Sequence, residues 1–267
     1  MSVVLPRLSK RTAGRLRIQC GGDIAIRISE FPTLYAKYSA PSEPIRLLDT
    51  SAAQNEINDE YAPASTRLRH MIKDLDHILV CPGVYDDLSA RLALQTGFEA
   101  MYMTCAGTAA SRLGATDLRL DELHDMRTNS EMITNLQPNG PPLIADMDTG
   151  YGGLIFIAKS VEQYHLAGVA GFHIEDQVMQ KRSGHLQGKE VVDVETYIQR
   201  IKACKLAARQ LHSDIVIVAR TDALQSRGYK ECMERLCRAW DEGADMGIIK
   251  VVASKEQAHQ AVQDLAP

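Results

Sequence analysis

Short apolar runs alternate with longer amphipathic stretches along the chain from about residue 64 onward. Six such runs stand at residues 77–81, 100–104, 142–146, 171–175, 215–219 and 246–251. Each run is too short for a helix and is apolar at consecutive positions, which is typical of buried parallel strands. The pattern therefore predicts six strands, each followed by a helix.

Apolar residues recur at helical spacing between the runs. One stripe contains Val194, Tyr197, Ile198, Ile201, Cys204 and Ala208. A second contains Tyr229, Met233, Leu236, Cys237 and Trp240. We interpret both stripes as helix faces that pack into the core, so Trp240 and these cysteines are not predicted to bind a cofactor.

Six βα units predict an α/β fold, which is either a doubly wound sheet or a TIM-type barrel. Polar residues follow several different runs, and this favours the barrel, because a barrel assembles its active site from the carboxyl ends of many strands. A dinucleotide-binding sheet would have a glycine-rich first turn, and "CPGVYDD" at residues 81–87 is not a GxGxxG sequence. We predict an incomplete (β/α) barrel of about six units over residues 63–267.

Residues 1–62 are predicted to form an N-terminal extension. Five basic residues and no acid precede Asp23, which is typical of an organellar transit peptide, with a disordered basic leader as the alternative. Residues 39–66 have the composition of a linker, and only "DIAIRIS" at residues 23–29 alternates like a strand. The expected location is mitochondrial if the leader is a transit peptide and cytoplasmic otherwise.

Charge and composition narrow the possible partners. The formal net charge is −4, and no run approaches the length of about 18 apolar residues that a membrane span needs, so neither nucleic acid nor membrane is an expected partner. The 6 cysteines include no CxxC pair, which favours a reducing compartment.

Carboxylates follow two of the predicted strands, namely Asp146, Asp148, Glu175 and Asp176. No cluster of histidine or cysteine ligands accompanies them, so they favour a hard cation, Mg²⁺ or alternatively Mn²⁺. Arg220, at the end of another run, is suited to pair with a substrate carboxylate in bidentate fashion. Each acid taken singly has a helix N-cap as its alternative role. Their shared position at strand ends favours a magnesium site for an oxyacid.

Five ordered motifs resemble those of the isocitrate lyase and phosphoenolpyruvate mutase superfamily. They are "CPGVYDDLSARLALQTGFEAMYMTCAGTAASRLGATD", "PLIADMDTGYGG", "GFHIEDQ", "KRSGHLQGKE" and "VARTDA". The likeness is nearest to the short members, which are 2-methylisocitrate lyase, oxaloacetate hydrolase and dimethylmalate lyase. It implies a TIM-type barrel, a divalent metal, a small carboxylate substrate and a homo-oligomer.

The resemblance also implies roles for individual residues. The implied metal and metal-water ligands are Asp146, Asp148, Glu175 and Asp117. The implied substrate-binding residues are Tyr85, Thr104, Ala106, Gly107, Arg220 and Glu190. A mobile gating loop would carry Lys181, Arg182, Ser183, His185 and Glu190, and its closure would exclude water from the substrate.

Three residues depart from the family pattern. Lyases of the family carry a cysteine where this chain has Ser183, and that cysteine protonates the enolate left by carbon–carbon cleavage. A hydroxyl is a much weaker acid than a thiol, so Lys181, Arg182 or His185 would have to supply the proton instead. The family also has a glutamate at the position of Lys250 and usually a glycine at that of Cys105.

These observations leave three functions open. The first is a magnesium-dependent lyase or hydrolase that acts on a small 2-hydroxy or 2-oxo di- or tricarboxylate. The second is a truncated, catalytically impaired paralogue that acts as a binding or interaction protein, because the seventh and eighth barrel units are expected to be missing. The third is a phosphonate-forming mutase, which the lyase-like "KRSGHLQGKE" disfavours.

Overall fold

The computed structural model describes residues 3–6, 62–74, 78–183, 186 and 188–265. Its strands are β1 (Val3–Pro6), β2 (Gly83–Val84), β3 (Met101–Met103), β4 (Leu143–Asp146), β5 (Gly171–Glu175), β6 (Val216–Thr221) and β7 (Met246–Ile249). Its helices are α1 (Ala64–Lys73), α2 (Asp87–Thr96), α3 (Cys105–Thr108), α4 (Leu123–Thr134), α5 (Leu154–Leu166), α6 (Val194–Gln210), α7 (Ala223–Arg227), α8 (Tyr229–Asp241) and α9 (Lys255–Leu265). A π-helical turn, Ala109–Leu113, continues α3.

Strands β2 to β7 form a parallel sheet whose spatial order follows the chain. A doubly wound sheet reverses its strand order at a switch point, whereas an order that follows the chain is that of a (β/α) barrel. The predicted α/β class and its six βα units are therefore confirmed. Among the described residues, the sheet has two outer strands, β1 and β2, and is open between them.

Five of the six predicted strands coincide with observed ones, and the strand predicted at residues 77–81 is wrong. The observed strand is Gly83–Val84, because backbone pairing with β3 decides its place. The amide of Tyr102 donates to the carbonyl of Pro82 over 3.0 Å, and the amide of Thr104 donates to that of Val84 over 3.1 Å. The apolar run before it includes Leu79, which packs against a small core cluster instead.

The sheet has two apolar sides. Side chains such as Phe172 and Ile217 face the helices and form the main core. Their strand neighbours alternate to the opposite side, where Val216, Val218 and Ile248 form a second cluster with Leu68 of α1. The residues on this second side become polar towards the carboxyl ends of the strands.

Helix α1 covers the amino ends of the strands. Arg69 forms a bidentate pair with Asp245 at 2.8 and 2.9 Å and donates to the carbonyl of Ile215. Both partners lie just before a strand, β7 and β6 respectively. Leu68 packs so closely on Gly171 that a Cβ there would lie 3.0 Å from its Cδ2 atom. The opposite end of the sheet is left for the functional site.

The predicted helix stripes are largely observed. In α6, the stripe residues Tyr197, Ile198, Ile201, Cys204 and Ala208 are buried. In α8, Met233, Leu236 and Trp240 are buried, but Cys237 is exposed and Cys232 takes its place in the core. The prediction that Cys237 packs into the core was therefore wrong. The buried face of the helix contains Cys232 and Ala239 instead.

The leader contributes one strand to the sheet. Residues Val3–Pro6 pair antiparallel with Met246–Ile249, in the register Val3↔Ile249. The segment 23–29, which alternation singled out, lies outside the described residues. None of the helices in the described ranges is both long enough and apolar enough to span a membrane.

Candidate active site

Parallel strands bring the predicted site residues to one edge of the sheet. Asp146 pairs in register with His173, and Glu175 with Arg220, on three adjacent strands. All four side chains are buried. They lie on the second side of the sheet, at its polar end near the carboxyl ends of the strands. They therefore converge in space, although Asp146 and Arg220 are 74 positions apart in the sequence.

Arg220 is surrounded by carboxylates. Its Nη2 atom lies 2.7 Å from Glu175 Oε2, its Nε atom 3.0 Å from Asp222 Oδ2, and its Nη1 atom 3.7 Å from Asp146 Oδ2. Burial by itself would lower the pKa of Arg220, but these acids raise it well above its ordinary value. The guanidinium is therefore a fixed positive charge.

A tyrosine–histidine pair supports Asp146 from the neighbouring strands. The Tyr102 hydroxyl lies 2.7 Å from Nε2 of His173, and the two rings stack with centroids 5.4 Å apart. Nδ1 of His173 lies 3.5 Å from Asp146 Oδ1. Burial lowers the pKa of His173 to about 3, so its imidazole is neutral at physiological pH. The sequence analysis missed both aromatic residues, although their positions on the polar side of their strands could have revealed them.

Asp146 and Asp148 are held in different electrostatic states. Asp148 has a φ of 48°, and its amide donates to Asp146 Oδ1 over 2.9 Å. Burial by itself would raise the pKa of Asp146, but nearby His173, Arg220 and Lys181 hold it below its ordinary value. Burial and the charge of Asp146 raise the pKa of Asp148 to about 7.

Lys181 extends from the predicted gating loop into the carboxylate cluster. Its ammonium contacts Asp117 and lies 2.6 Å from Asp148 Oδ1 and 3.5 Å from Cys105 Sγ. Burial would lower the pKa of Lys181, but Asp148 and the other acids raise it. This lysine and Asp117 thus lie inside the site, as the resemblance implied.

The implied substrate loop follows β3. Thr104 caps α3 by accepting a hydrogen bond from the amide of Gly107, and Asn129 donates to the carbonyl of Tyr85 over 2.9 Å. A Cβ atom at Gly107 would lie 2.8 Å from both Thr104 and Tyr85, so only glycine permits this approach. The side chains of Ala106 and Tyr85 are exposed.

The rest of the predicted gating loop lies nearer the surface. The side chain of Gln177 makes two hydrogen bonds to the backbone of Arg182, one in each direction. Ser183 is half-buried, and its carbonyl accepts from the amide of Leu186. The side chains of Arg182 and Glu190 are exposed, and His185 lies outside the described residues.

Asp176 is not part of the carboxylate cluster, contrary to the sequence analysis. It accepts hydrogen bonds from Thr221 and the amide of Asp222 and pairs with Arg235 at 3.2 Å. Adjacent residues at a strand end point to opposite sides, so Glu175 and Asp176 cannot share one site.

Two groups of ligand atoms are close enough together to hold a metal ion. One comprises Cys105, Asp146 and Asp148, and the other Cys105, Asp117 and Asp121, with the atoms of each within 4.8 Å of one another. Glu175 Oε2 pairs with Arg220, and its Oε1 atom has no hydrogen-bond partner among the described residues. The carboxylates therefore fit a hard divalent cation, but the sequence analysis was wrong to find no soft ligand beside them, since the Cys105 thiol is there.

Lys250 follows β7 at the border of this cluster. Its amide donates to the carbonyl of Thr221 over 3.2 Å. Burial and the charge of Arg220 lower the pKa of Lys250. In its protonated form Lys250 places a second positive charge beside Arg220, and burial and this repulsion disfavour that form.

Comparison with known proteins places this geometry in a family. A family model described as phosphoenolpyruvate phosphomutase matches residues 68–267. The chain is 37% identical over 180 residues to 2,3-dimethylmalate lyase of Eubacterium barkeri, covering 67% of this chain and 61% of that protein. It is 38% identical over 190 residues to 2-methylisocitrate lyase of Aeropyrum pernix, covering 71% of this chain and 59% of that protein.

A solved structure extends the likeness to the fold. Oxaloacetate acetylhydrolase in complex with the inhibitor 3,3-difluorooxalacetate superposes with a TM-score of 0.76 at 58% identity. The match covers 77% of this chain and 69% of that one. The resemblance read from the motifs is thus confirmed, and the chain spans about three fifths of the length of the curated relatives given above (61% and 59%).

Proposed function

Because the chain belongs to the phosphoenolpyruvate phosphomutase family, we propose that it is a metal-dependent enzyme that cleaves or hydrolyses a carbon–carbon bond. Its substrate is a small 2-hydroxy or 2-oxo di- or tricarboxylate. The relatives named above act on molecules of this kind according to their names.

The observation that carries the proposal is the position of Arg220 among Asp146 and Glu175. The Arg220 guanidinium lies 2.7 Å from Glu175 Oε2 and 3.7 Å from Asp146 Oδ2. It is therefore positioned to neutralise the negative charge of a dicarboxylate substrate next to the proposed cation site. Arg220 binds one substrate carboxylate in this proposal, since its planar fork matches that group.

Asp146 is the principal ligand of Mg²⁺ or Mn²⁺, with Asp148 and Glu175 in support. When bound, such an ion supplies Lewis-acid stabilisation of the negative charge that develops on the substrate oxygens. The neutral His173 and the Tyr102 hydroxyl orient Asp146. The turn at Thr104 and Gly107 positions the substrate against the β3 end of the sheet.

Proton transfer distinguishes this chain from a lyase with a thiol in its gating loop. Ser183 is a weak acid, whereas Lys181 already reaches the carboxylate cluster. Lys181 holds the proton that the product enolate takes up. Burial would lower the pKa of Lys181, but the acids around it raise that pKa, so they favour the protonated form that can donate.

A second candidate function is carboxylate binding without turnover. The contacts of the Lys181 ammonium with Asp117 and Asp148 favour it, because they place a positive charge within the acidic cluster. In that case the chain binds a metal and a dicarboxylate but releases no product.

One assay separates these functions. The purified chain is incubated with Mg²⁺ and 2-methylisocitrate, isocitrate, 2,3-dimethylmalate, oxaloacetate or phosphoenolpyruvate, and pyruvate, glyoxylate or oxalate is measured. We expect product from at least one di- or tricarboxylate, and less from Arg220→Lys. Tight binding of oxalate by calorimetry without product from any substrate would support the second candidate, and neither binding nor product would refute both.

Metal binding has its own test. Asp146→Ala should weaken Mg²⁺ binding at least about tenfold in isothermal titration, since ligand-shell changes commonly cost 10- to 100-fold. Asp241→Ala, on the exposed end of α8, is the matched control. Equal affinity in the two variants would remove Asp146 from the metal site.

A further inference from the structure

Arg119 has a backbone conformation that favours glycine. Its φ is 65°, in the loop between the π-helical turn and α4. This left-handed region is unfavourable for a residue that has a Cβ atom. The reason for an arginine at this position therefore lies in the contacts of its side chain.

The Arg119 guanidinium lies between a tyrosine ring and the segment that carries Lys181. Its Cζ atom is 5.4 Å from the centroid of the Tyr151 ring, and its Nη1 atom donates to the carbonyl of Met179 over 3.3 Å. The side chain is only 10% exposed. The nearest atom of Glu122 is 4.0 Å away on an exposed side chain, so this ion pair contributes little. The contacts with Tyr151 and Met179 therefore fix the guanidinium.

Tyr151 is a rigid support for this arginine. Its side chain is buried, and its hydroxyl lies 2.9 Å from that of Tyr164. The Tyr164 hydroxyl donates in turn to the carbonyl of Asp146 over 2.8 Å. Because Asp146 ends β4 at the proposed metal site, Arg119 links Met179 to a ring that the same strand end holds in place.

Two further contacts hold Lys181 and its neighbour. Asp117 stands two residues before Arg119 and contacts the Lys181 ammonium. On the other side of Lys181, the buried carboxamide of Gln177 donates to the carbonyl of Arg182 over 2.9 Å and accepts from its amide over 3.1 Å. The backbone is therefore held both before and after Lys181.

We propose that Arg119 is a positioning residue, which holds residues 178–182 so that the Lys181 ammonium stays among the carboxylates. Gln177 holds the segment on the other side of Lys181. The effect of Arg119 on turnover rests on the proposed function, in which Lys181 holds the proton. The placement of Lys181 by Arg119 does not.

Chemical labelling measures the placement of Lys181 without any substrate. Brief treatment of the full chain with acetic anhydride, followed by peptide mass spectrometry, gives the acetylation rate of Lys181 relative to that of the exposed Lys202. Arg119→Gly should raise this ratio about tenfold, because the segment loses a hydrogen bond and a cation–π contact. Gln177→Met keeps the length of the side chain but neither hydrogen bond, and it should raise the ratio similarly.

Backbone strain distinguishes positioning from a general loss of stability. Arg119→Gly removes the strain together with the guanidinium, whereas Arg119→Ala keeps the strain. The glycine variant should therefore melt at a higher temperature, although Lys181 is labelled equally fast in both. Faster labelling in Arg119→Ala alone would mean that labelling follows stability, and it would overturn the proposal.

His212→Gly is the matched control. His212 is exposed and also has a positive φ, 50°, but it follows α6 at the opposite end of the sheet from the site. This variant relieves the same kind of strain and should leave the labelling ratio of Lys181 unchanged. An unchanged ratio in Arg119→Gly, or an equal rise in His212→Gly, would overturn the proposal.

Activity is measured separately on the substrate that the chain turns over. Arg119→Gly should lower kcat about tenfold and leave KM nearly unchanged, because Arg119 acts on Lys181 and not on the substrate. A raised labelling ratio with an unchanged kcat would refute Lys181 as the proton donor and support its placement by Arg119. A raised ratio in a chain whose wild type turns over no substrate would refute the proposed function alone.

Discussion

Asp222 joins Arg220 to the end of the predicted gating loop. Its Oδ2 atom lies 3.0 Å from Nε of Arg220, and its Oδ1 atom accepts a hydrogen bond of 2.6 Å from Lys189. All three side chains are buried. One carboxylate therefore fixes both the proposed substrate arginine and the residue at which the loop returns to the sheet.

Asp222→Asn should lower the free energy of unfolding by about 3–5 kcal/mol, because it leaves two buried cations without this negative charge. Urea denaturation measures the loss. The matched control is Glu195→Gln, which breaks an exposed pair with Arg238 and should cost about 1 kcal/mol or less. Similar losses in the two variants would mean that Arg220 and Lys189 do not depend on Asp222.

Gly107→Ala should be costly because the added Cβ atom would lie 2.8 Å from Thr104 and Tyr85. Overpacking of this kind destabilises by about 1–3 kcal/mol. We also expect a higher KM for the substrate, since the turn moves. Gly153→Ala is the control, because nothing lies within 4 Å of its Cβ position. If thermal melting and KM are the same in both variants, the close approach at Gly107 is not important.

Asp214 should make stability depend on acid pH. Burial would raise the pKa of Asp214, but hydrogen bonds from Ser65 and Thr66 lower it below its ordinary value. The folded pKa thus lies below the unfolded value of about 3.9, so the stabilisation is present above about pH 4 and is lost as the pH falls further. Asp214→Asn should remove this component from urea unfolding curves between about pH 5 and pH 2, whereas Asp241→Asn should retain it. If the pH dependence of unfolding is unchanged in Asp214→Asn, the contact of Asp214 with Ser65 and Thr66 of α1 does not depend on the charge of the carboxylate.

Ser183→Cys should raise lyase activity by one to three orders of magnitude, because general acid catalysis is typically worth about 10²- to 10⁴-fold. Initial rates on the active substrate give the measurement. Ser183→Ala is the companion variant, and we expect it to match the wild type. If the Ser183→Cys variant is no faster than the parent, Ser183 does not limit turnover, and Lys250 or Lys181 is the residue that does.

Removal of β1 should increase self-association. Pairing with Val3–Pro6 satisfies the outer edge of β7, and an unpaired edge strand is a template for other chains. Light scattering should show larger species for a chain that lacks residues 1–6. Deletion of residues 23–29 tests the segment that alternation favoured. If the first deletion leaves the size unchanged, β1 is not what protects the edge.

The sequence by itself determined most of the sheet and much of the site. Apolar runs of five or six residues are buried on both faces, so five strands followed from local composition alone. Asp146, Glu175 and Arg220 were predicted as site residues because each stands at the end of a predicted strand. Parallel strands end at a common edge of the sheet, so the strand assignment alone brings these residues together. The strand at Gly83–Val84 was not found, since it is defined by hydrogen bonds to Tyr102 and Thr104 rather than by its own side chains.

Only the tertiary structure decided which polar residues share the site. Glu175 and Asp176 are equivalent in a linear pattern, but strand alternation sends the first to Arg220 and the second to Arg235. Lys181, Cys105 and Asp121 come from separate segments, and their contacts depend on how a loop and a short helix fold over the sheet. Periodicity reports only on residues a few positions apart, whereas the electrostatics of a buried cluster depend on distances between segments that the chain brings together only when folded.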